Sequence, residues 1–219
     1  MQDSLVVVVA GGVSLRPDVA SLIPTDARVL AADAGVAHAR ALGLHVTAVI
    51  GDFDSASSAE VDRAVAAGAR IERHPTDKDE TDLELTLDAA LELEPSSIVV
   101  LADAGGRLDH VLSALLLLAA AKYVDVEIDA QIGAAFVHVI RDERALQGRP
   151  GDLVSLLALH GLAEGVRTEG LAYPLVGETL EPGSSRGVSN VFVGSDAGVQ
   201  VERGVVLAVR PGLEAGAAL

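Results

Sequence analysis

Carboxylates crowd into three short stretches between Gly51 and His110: Gly51-Asp52-Phe53-Asp54-Ser55, Lys78-Asp79-Glu80-Thr81-Asp82 and Gly105-Gly106-Arg107-Leu108-Asp109-His110. Such a set suits a magnesium ion and a polyphosphate. A hard cation takes oxygen ligands from one or two carboxylates and from the phosphates themselves, and Lys78 and Arg107 can hold the phosphate oxygens that the metal leaves uncovered. The chemistry that follows is transfer of a phosphorus-containing group.

Asp52 and Asp54 are two residues apart, so in an extended segment their side chains point the same way and can share one Mg²⁺, directly or through water. An Asp-x-Asp pair serves phosphatases and glycosyltransferases as well as kinases, and an aspartyl-phosphate phosphatase would use its first Asp as nucleophile. Spacing alone leaves these open. Asp79 and Asp82 are expected on one face of the first turn of a helix, where acids complement the helix dipole. Lys78 opposes that dipole and requires an anion, such as a triphosphate, in front of it. Gly105-Gly106 permits close approach of backbone to phosphate, Arg107 can grip it bidentately, and Asp109 opens an apolar helix. His110 is a candidate base, although a lone His near a helix start more often packs or caps. The other histidines show no metal-ligand spacing, and no Walker A sequence is present.

Positioning these groups falls to an alternation of short β-branched runs and helical patterns over the first 130 or so residues. Runs at 5–10, 29–32, 46–50, 98–102 and 124–128 read as strands, most of them continuously apolar as buried parallel strands are. Helices are expected at 36–42, 58–67 and 81–93, the last carrying Leu83, Leu87 and Leu91 on one face. The segment 108–123 is apolar nearly all round and is expected to be the most buried helix. This is βαβ architecture with a parallel, Rossmann-like sheet, in which ligands bind outside the carboxyl ends of the strands. Asp33, Asp52 with Asp54, and Asp103 follow three such ends. Beyond about residue 130 the pattern changes to short strands at 136–140, 153–159, 165–168, 188–193, 199–201 and 205–209, separated by Gly- and Pro-containing turns. An α/β domain at 1–130 followed by an all-β domain at 131–219, a β-sandwich, is the expected organisation.

Composition narrows the partners. The 219 residues carry 32 acidic against 16 basic side chains, a net charge of −16, which repels nucleic acid and anionic membranes. A nucleotide must then be captured locally, by metal, backbone N–H groups and a few cations. Without Cys, disulfides, thiolate catalysis and cysteine-ligated zinc are excluded. The start Met1-Gln2-Asp3-Ser4-Leu5 has no basic region, and the apolar stretch 112–121 is about half of a membrane span, so a cytoplasmic protein is expected.

In order, Asp33-Ala34-Gly35, the three acidic groups, Gly170-Leu171-Ala172-Tyr173-Pro174-Leu175 and Ser189-Asn190 make a chain that resembles the bacterial thiamine pyrophosphokinases along most of its length. The resemblance implies an N-terminal α/β domain, a C-terminal β-sandwich, and a homodimer with active sites shared between subunits. It also implies transfer of a diphosphate from ATP to the hydroxyl of thiamine, leaving AMP. Position by position, Asp52, Asp54 and Asp82 match the metal-binding carboxylates, with Asp33 and Asp109 as further members of that cluster. Lys78, Thr81 and Arg107 match positions near the nucleotide phosphates, and Tyr173, Ser189 and Asn190 match motifs of the thiamine pocket. Two residues depart from the family pattern: Ala34 stands where a Gly is usual, and Val191 follows Asn190 where an acidic or small polar residue is usual. The alternatives carried forward are a pyrophosphokinase for another hydroxymethyl heterocycle, such as a pterin, and a nucleotide-binding protein of the same fold without turnover.

Overall fold

The structure, a computed structural model, describes residues 4–12, 17–105 and 107–212. Met1, Gln2, Asp3 and Gly106 therefore lie outside the described residues. The chain forms two compact units, Met1–Ala114 with Val126–Gly133, and Leu115–Asp125 with Ala134–Leu219. The fold is mixed α/β, with more strand than helix.

In the first unit six strands, β1 (Leu5–Val9), β2 (Arg28–Ala32), β3 (Val46–Gly51), β4 (Arg70–Arg73), β5 (Ser97–Ala102) and β6 (Glu127–Ile132), form a parallel sheet of order β4-β3-β2-β1-β5-β6. Val6 to Val9 are all at most 1% exposed, as a central strand covered on both faces requires. The helices are α1 (Gly35–Ala41), α2 (Ser58–Ala66), α3 (Asp82–Leu91) and α4 (Leu108–Leu118). α1 lies hard against β1. A side chain on Gly35 would collide with the Val9 carbonyl, whereas Ala34, with φ of −61°, sits in ordinary right-handed backbone that needs no glycine. The Ala34 departure is thus accommodated.

The second unit is antiparallel. β7 (Ala135–Ile140), β8 (Glu143–Gln147), β9 (Leu153–Glu169), β12 (Asp196–Gln200) and β13 (Arg203–Arg210) follow the order β7-β13-β9-β12-β8, and β10 (Val176–Leu180) and β11 (Asn190–Val191) also pair with β9. One buried cluster of this unit packs Val, Leu, Ala and Ile140 around the ring of Phe192. With so few aromatics, each buried Val or Leu contributes about 1.5–3 kcal/mol and their number supplies the stability.

Four expectations change. The segment expected as strand 124–128 begins instead at Glu127, because Ala121–Tyr123 forms a 3₁₀ turn that buries Tyr123, and pairing with β5 sets the register. The helix expected over 108–123 stops at Leu118, and its Leu108, Leu112 and Leu116 are 72%, 53% and 46% exposed, so it is not the most buried. An all-round apolar pattern cannot say which face meets the sheet. The strands expected at 153–159 and 165–168 are one 17-residue strand, kinked where His160, Gly161 and Gly165 take left-handed backbone rather than turned back. At 188–193 only Asn190–Val191 pairs as strand. Strands β4, β8 and β10 had no apolar run to announce them.

Candidate active site

Because β1, β2, β3 and β5 are parallel, their carboxyl ends share one edge, and Asp33, Asp52, Asp54 and Asp103 leave the sheet there. Carboxylate oxygens of Asp33, Asp52 and Asp54 all lie within 4.8 Å of one another. Asp33 is 5% exposed in left-handed backbone (φ 44°), a conformation Asp tolerates, and its N–H donates to the Ile50 carbonyl at 2.8 Å. Ser55 Oγ donates to its Oδ2, while Oδ1 is buried without a hydrogen-bond partner. A buried carboxylate oxygen with nothing to accept is costly, and a cation relieves that cost.

Lys78 lies largely buried at the same edge. Lys78 Nζ lies 3.0 Å from Asp52 Oδ2 and 3.1 Å from Asp82 Oδ1, a buried oxygen that accepts no well-directed hydrogen bond. The Asp54 N–H donates to Asp52 Oδ1 at 3.1 Å, and this bond, with Lys78, holds the Asp52 carboxyl below its ordinary value. Burial pushes Asp82 up despite Lys78. Burial alone would pull Lys78 down, but its hydrogen bond to Asp52 and its ion pair with Asp82 outweigh that and raise it. Gly51, with φ of 150°, separates Asp33 from Asp82: an added Cβ would lie 3.1 Å from both Asp33 Cβ and Asp82 Oδ1. The donor set is all oxygen, and the buried Asp33 Oδ1 and Asp82 Oδ1 accept no hydrogen bond, which fits a hard divalent cation such as Mg²⁺ and not a thiolate-seeking metal.

The remaining expected residues divide. α3 begins at Asp82 with Thr81 as N-cap, its hydroxyl accepting from the Glu84 N–H at 3.2 Å, so Asp79 precedes the helix and does not share its first turn. Lys78 also lies ahead of the cap, with the carboxylates of Asp52 and Asp82 beside it. Arg107 and Asp109 are exposed and pair with each other at 2.5 Å, which holds Asp109 at about 2 and makes it a weak proton acceptor. Two features at this edge escaped the sequence reading. Gly11-Gly12 leaves β1, with the Gly12 carbonyl bonded to His38 Nε2 at 3.0 Å, and a glycine pair directly after a strand was the available signal. Arg73 bonds the Asp52 carbonyl at 3.0 Å; it sits on the unrecognised β4.

In the second unit, a cavity of about 380 Å³ is lined by Tyr173, the 184–188 loop and Asn190. That volume suits a small molecule. Asn190 is 2% exposed: its Oδ1 accepts from the N–H groups of Tyr173 (3.0 Å) and Val191 (2.9 Å), and its Nδ2 donates to the Tyr173 carbonyl at 2.7 Å. Arg186 forms a two-toothed ion pair with Glu178 at 2.7 and 2.8 Å beside the same turn. Ser189 is exposed in left-handed backbone (φ 57°), its N–H donating to Ser155 Oγ, and it is not part of the cavity wall. Neither is Val191, whose backbone is taken up by Asn190 and by the Ala172 N–H.

Two family models match the chain: "Thiamin pyrophosphokinase, catalytic domain" over residues 19–130, and "Thiamin pyrophosphokinase, vitamin B1 binding domain" over residues 137–206. The thiamine pyrophosphokinase of Bacillus subtilis (strain 168) is 27% identical over 215 residues, 93% of this chain and 96% of that protein. The crystal structure of the Bacillus subtilis enzyme superposes with a TM-score of 0.84 at 25% identity, covering 96% of this chain and all of the other. Those from Geobacillus thermodenitrificans (TM-score 0.81, 24% identity, 96% and 99% covered) and Candida albicans (0.79, 16%, 96% and 90%) share the fold.

Proposed function

The chain belongs to the thiamin pyrophosphokinase family, and on that premise we propose that it transfers the diphosphate of ATP to the hydroxyl of thiamine, giving thiamine diphosphate and AMP. The observation that carries the reading is the carboxylate cluster of Asp33, Asp52 and Asp54 at the strand exits, with its orphaned Asp33 oxygen and with Lys78 beside it. Asp52 and Asp54, with Asp82 behind Lys78 and Asp33 below, would hold Mg²⁺. The bound ion would neutralise the polyphosphate and polarise its oxygens.

The chain's own groups supply the rest. Lys78 and Arg107 stabilise charge on the transferred group, Asp109 orients Arg107, and Thr81 fixes the start of α3 beside the phosphates. The thiamine hydroxyl oxygen forms a bond to the β-phosphorus as the bond to the α–β bridging oxygen breaks, AMP leaves, and the hydroxyl proton passes to solvent or product. A loose phosphoryl transition state asks little of a base, so the acidity of Asp109 is no obstacle. Tyr173, Ser189 and Asn190 belong to the thiamine side. The finer architecture of this reading is a Rossmann-like domain at 1–130 and a β-sandwich at 131–219, assembled as a homodimer with shared sites. A cytoplasmic location, where ATP is available, completes it; no described helix is long and apolar enough to cross a membrane.

The test is AMP release from Mg-ATP with thiamine and with a panel of other hydroxymethyl heterocycles. Thiamine alone supporting AMP and thiamine diphosphate formation is the expected result, and Asp54→Asn should abolish it with the fold intact. Activity with a pterin only, or tight ATP binding with no AMP, overturns the assignment.

A further inference from the structure

We propose that Arg73 is a positioning residue for the cation-binding turn, holding Asp52-Phe53-Asp54 in the one conformation that presents both carboxylates; the proposal rests on reading Asp52 and Asp54 as metal ligands. Phe53, between them, has φ of 64°. A bulky aromatic residue has no intrinsic preference for that left-handed conformation, and nothing local beyond the Asp54 N–H bond to Asp52 Oδ1 favours it. The surrounding structure must hold it there.

β4 provides that hold. Its last residue, Arg73, pairs with Gly51, and the next N–H, that of His74, donates to the Gly51 carbonyl at 2.9 Å. From there the Arg73 guanidinium reaches over the turn: Nη1 donates to the Asp52 carbonyl at 3.0 Å, and Cζ sits 4.5 Å from the centre of the Phe53 ring. One planar group therefore grips the peptide before Phe53 and covers its ring, which Lys cannot do at once. The Asp52 carboxylate is left out of these contacts, so its oxygens stay available to Lys78, to the Asp54 N–H and to a cation. Arg73 itself is exposed, so its loss removes the brace without opening the core.

Mn²⁺ titration of the full chain without nucleotide, followed by the electron paramagnetic resonance signal of free Mn²⁺, separates the possibilities. Arg73→Met should weaken Mn²⁺ binding about tenfold, the scale at which outer partners of metal ligands act, with melting temperature and thiamine KM unchanged. Arg73→Lys should fall between, and Phe53→Leu, which removes the ring face alone, should weaken binding in the same direction. Wild-type affinity in Arg73→Met overturns the proposal, and wild-type affinity in Arg73→Lys overturns its geometric basis in favour of charge alone. If Asp54→Asn binds Mn²⁺ as the wild type does, the metal-site reading beneath it fails instead, a result the Arg73 variants cannot mimic.

Discussion

Asn190 lines the cavity yet spends its polar atoms on neighbouring backbone. Both lone pairs of its amide oxygen are taken by the N–H groups of Tyr173 and Val191, and its nitrogen reaches the Tyr173 carbonyl, so it braces the turn that places the Tyr173 ring at the cavity. Asn190→Ala strands two donors and an acceptor in a buried place, which should cost about 2–4 kcal/mol in chemical denaturation and raise the KM for thiamine more than it lowers kcat. Wild-type stability with weakened thiamine binding would instead make it a direct contact. Its motif was legible in the sequence; its task was not, because a side chain's partners depend on backbone brought from elsewhere. Lys78 teaches the same lesson. Its charge called for an anion, and the fold supplies two carboxylates of its own.

At the scale of elements, the acidic site depends on helix and strand ends being in place. α3 delivers Asp82 next to Gly51, and Thr81 caps it through the Glu84 N–H. Thr81→Ala should destabilise the protein by about 1 kcal/mol, with Thr81→Ser restoring it, read from denaturation midpoints. An unchanged midpoint with a raised KM for ATP would assign the hydroxyl to the phosphates rather than to the cap. The central strands and α1 to α3 were readable because continuous apolar runs and 3.6-residue periodicity are local signals. Edge strands β4, β8 and β10 were not, since Arg70-Ile71-Glu72-Arg73 and its like carry the charges that edges tolerate. The exposed leucines of α4 have a related cause: composition reports that a helix is apolar, not which side is covered.

For the whole molecule, a net charge of −16 sets a repulsive background against which a nucleotide must bind through local cations. Mg-ATP at a hundred times its Kd should therefore stabilise the protein by about 2.7 kcal/mol, a rise in Tm of roughly 5–10 °C, and chelation by EDTA should remove most of it. An equal shift for ATP in EDTA would show that the acid cluster takes no metal in binding. The types of group available, their order, and the parallel strands whose ends carry Asp33, Asp52, Asp54 and Asp103 are written in the amino-acid order, because side-chain chemistry and hydrophobic period are properties of the chain. Which of them meet depends on the fold. Adjacency of β2 and β3 sets Asp33 beside Asp52, β4 brings Arg73 over Phe53, and the buried turn absorbs Asn190, since contacts between distant residues follow from sheet order and register, which no local pattern encodes.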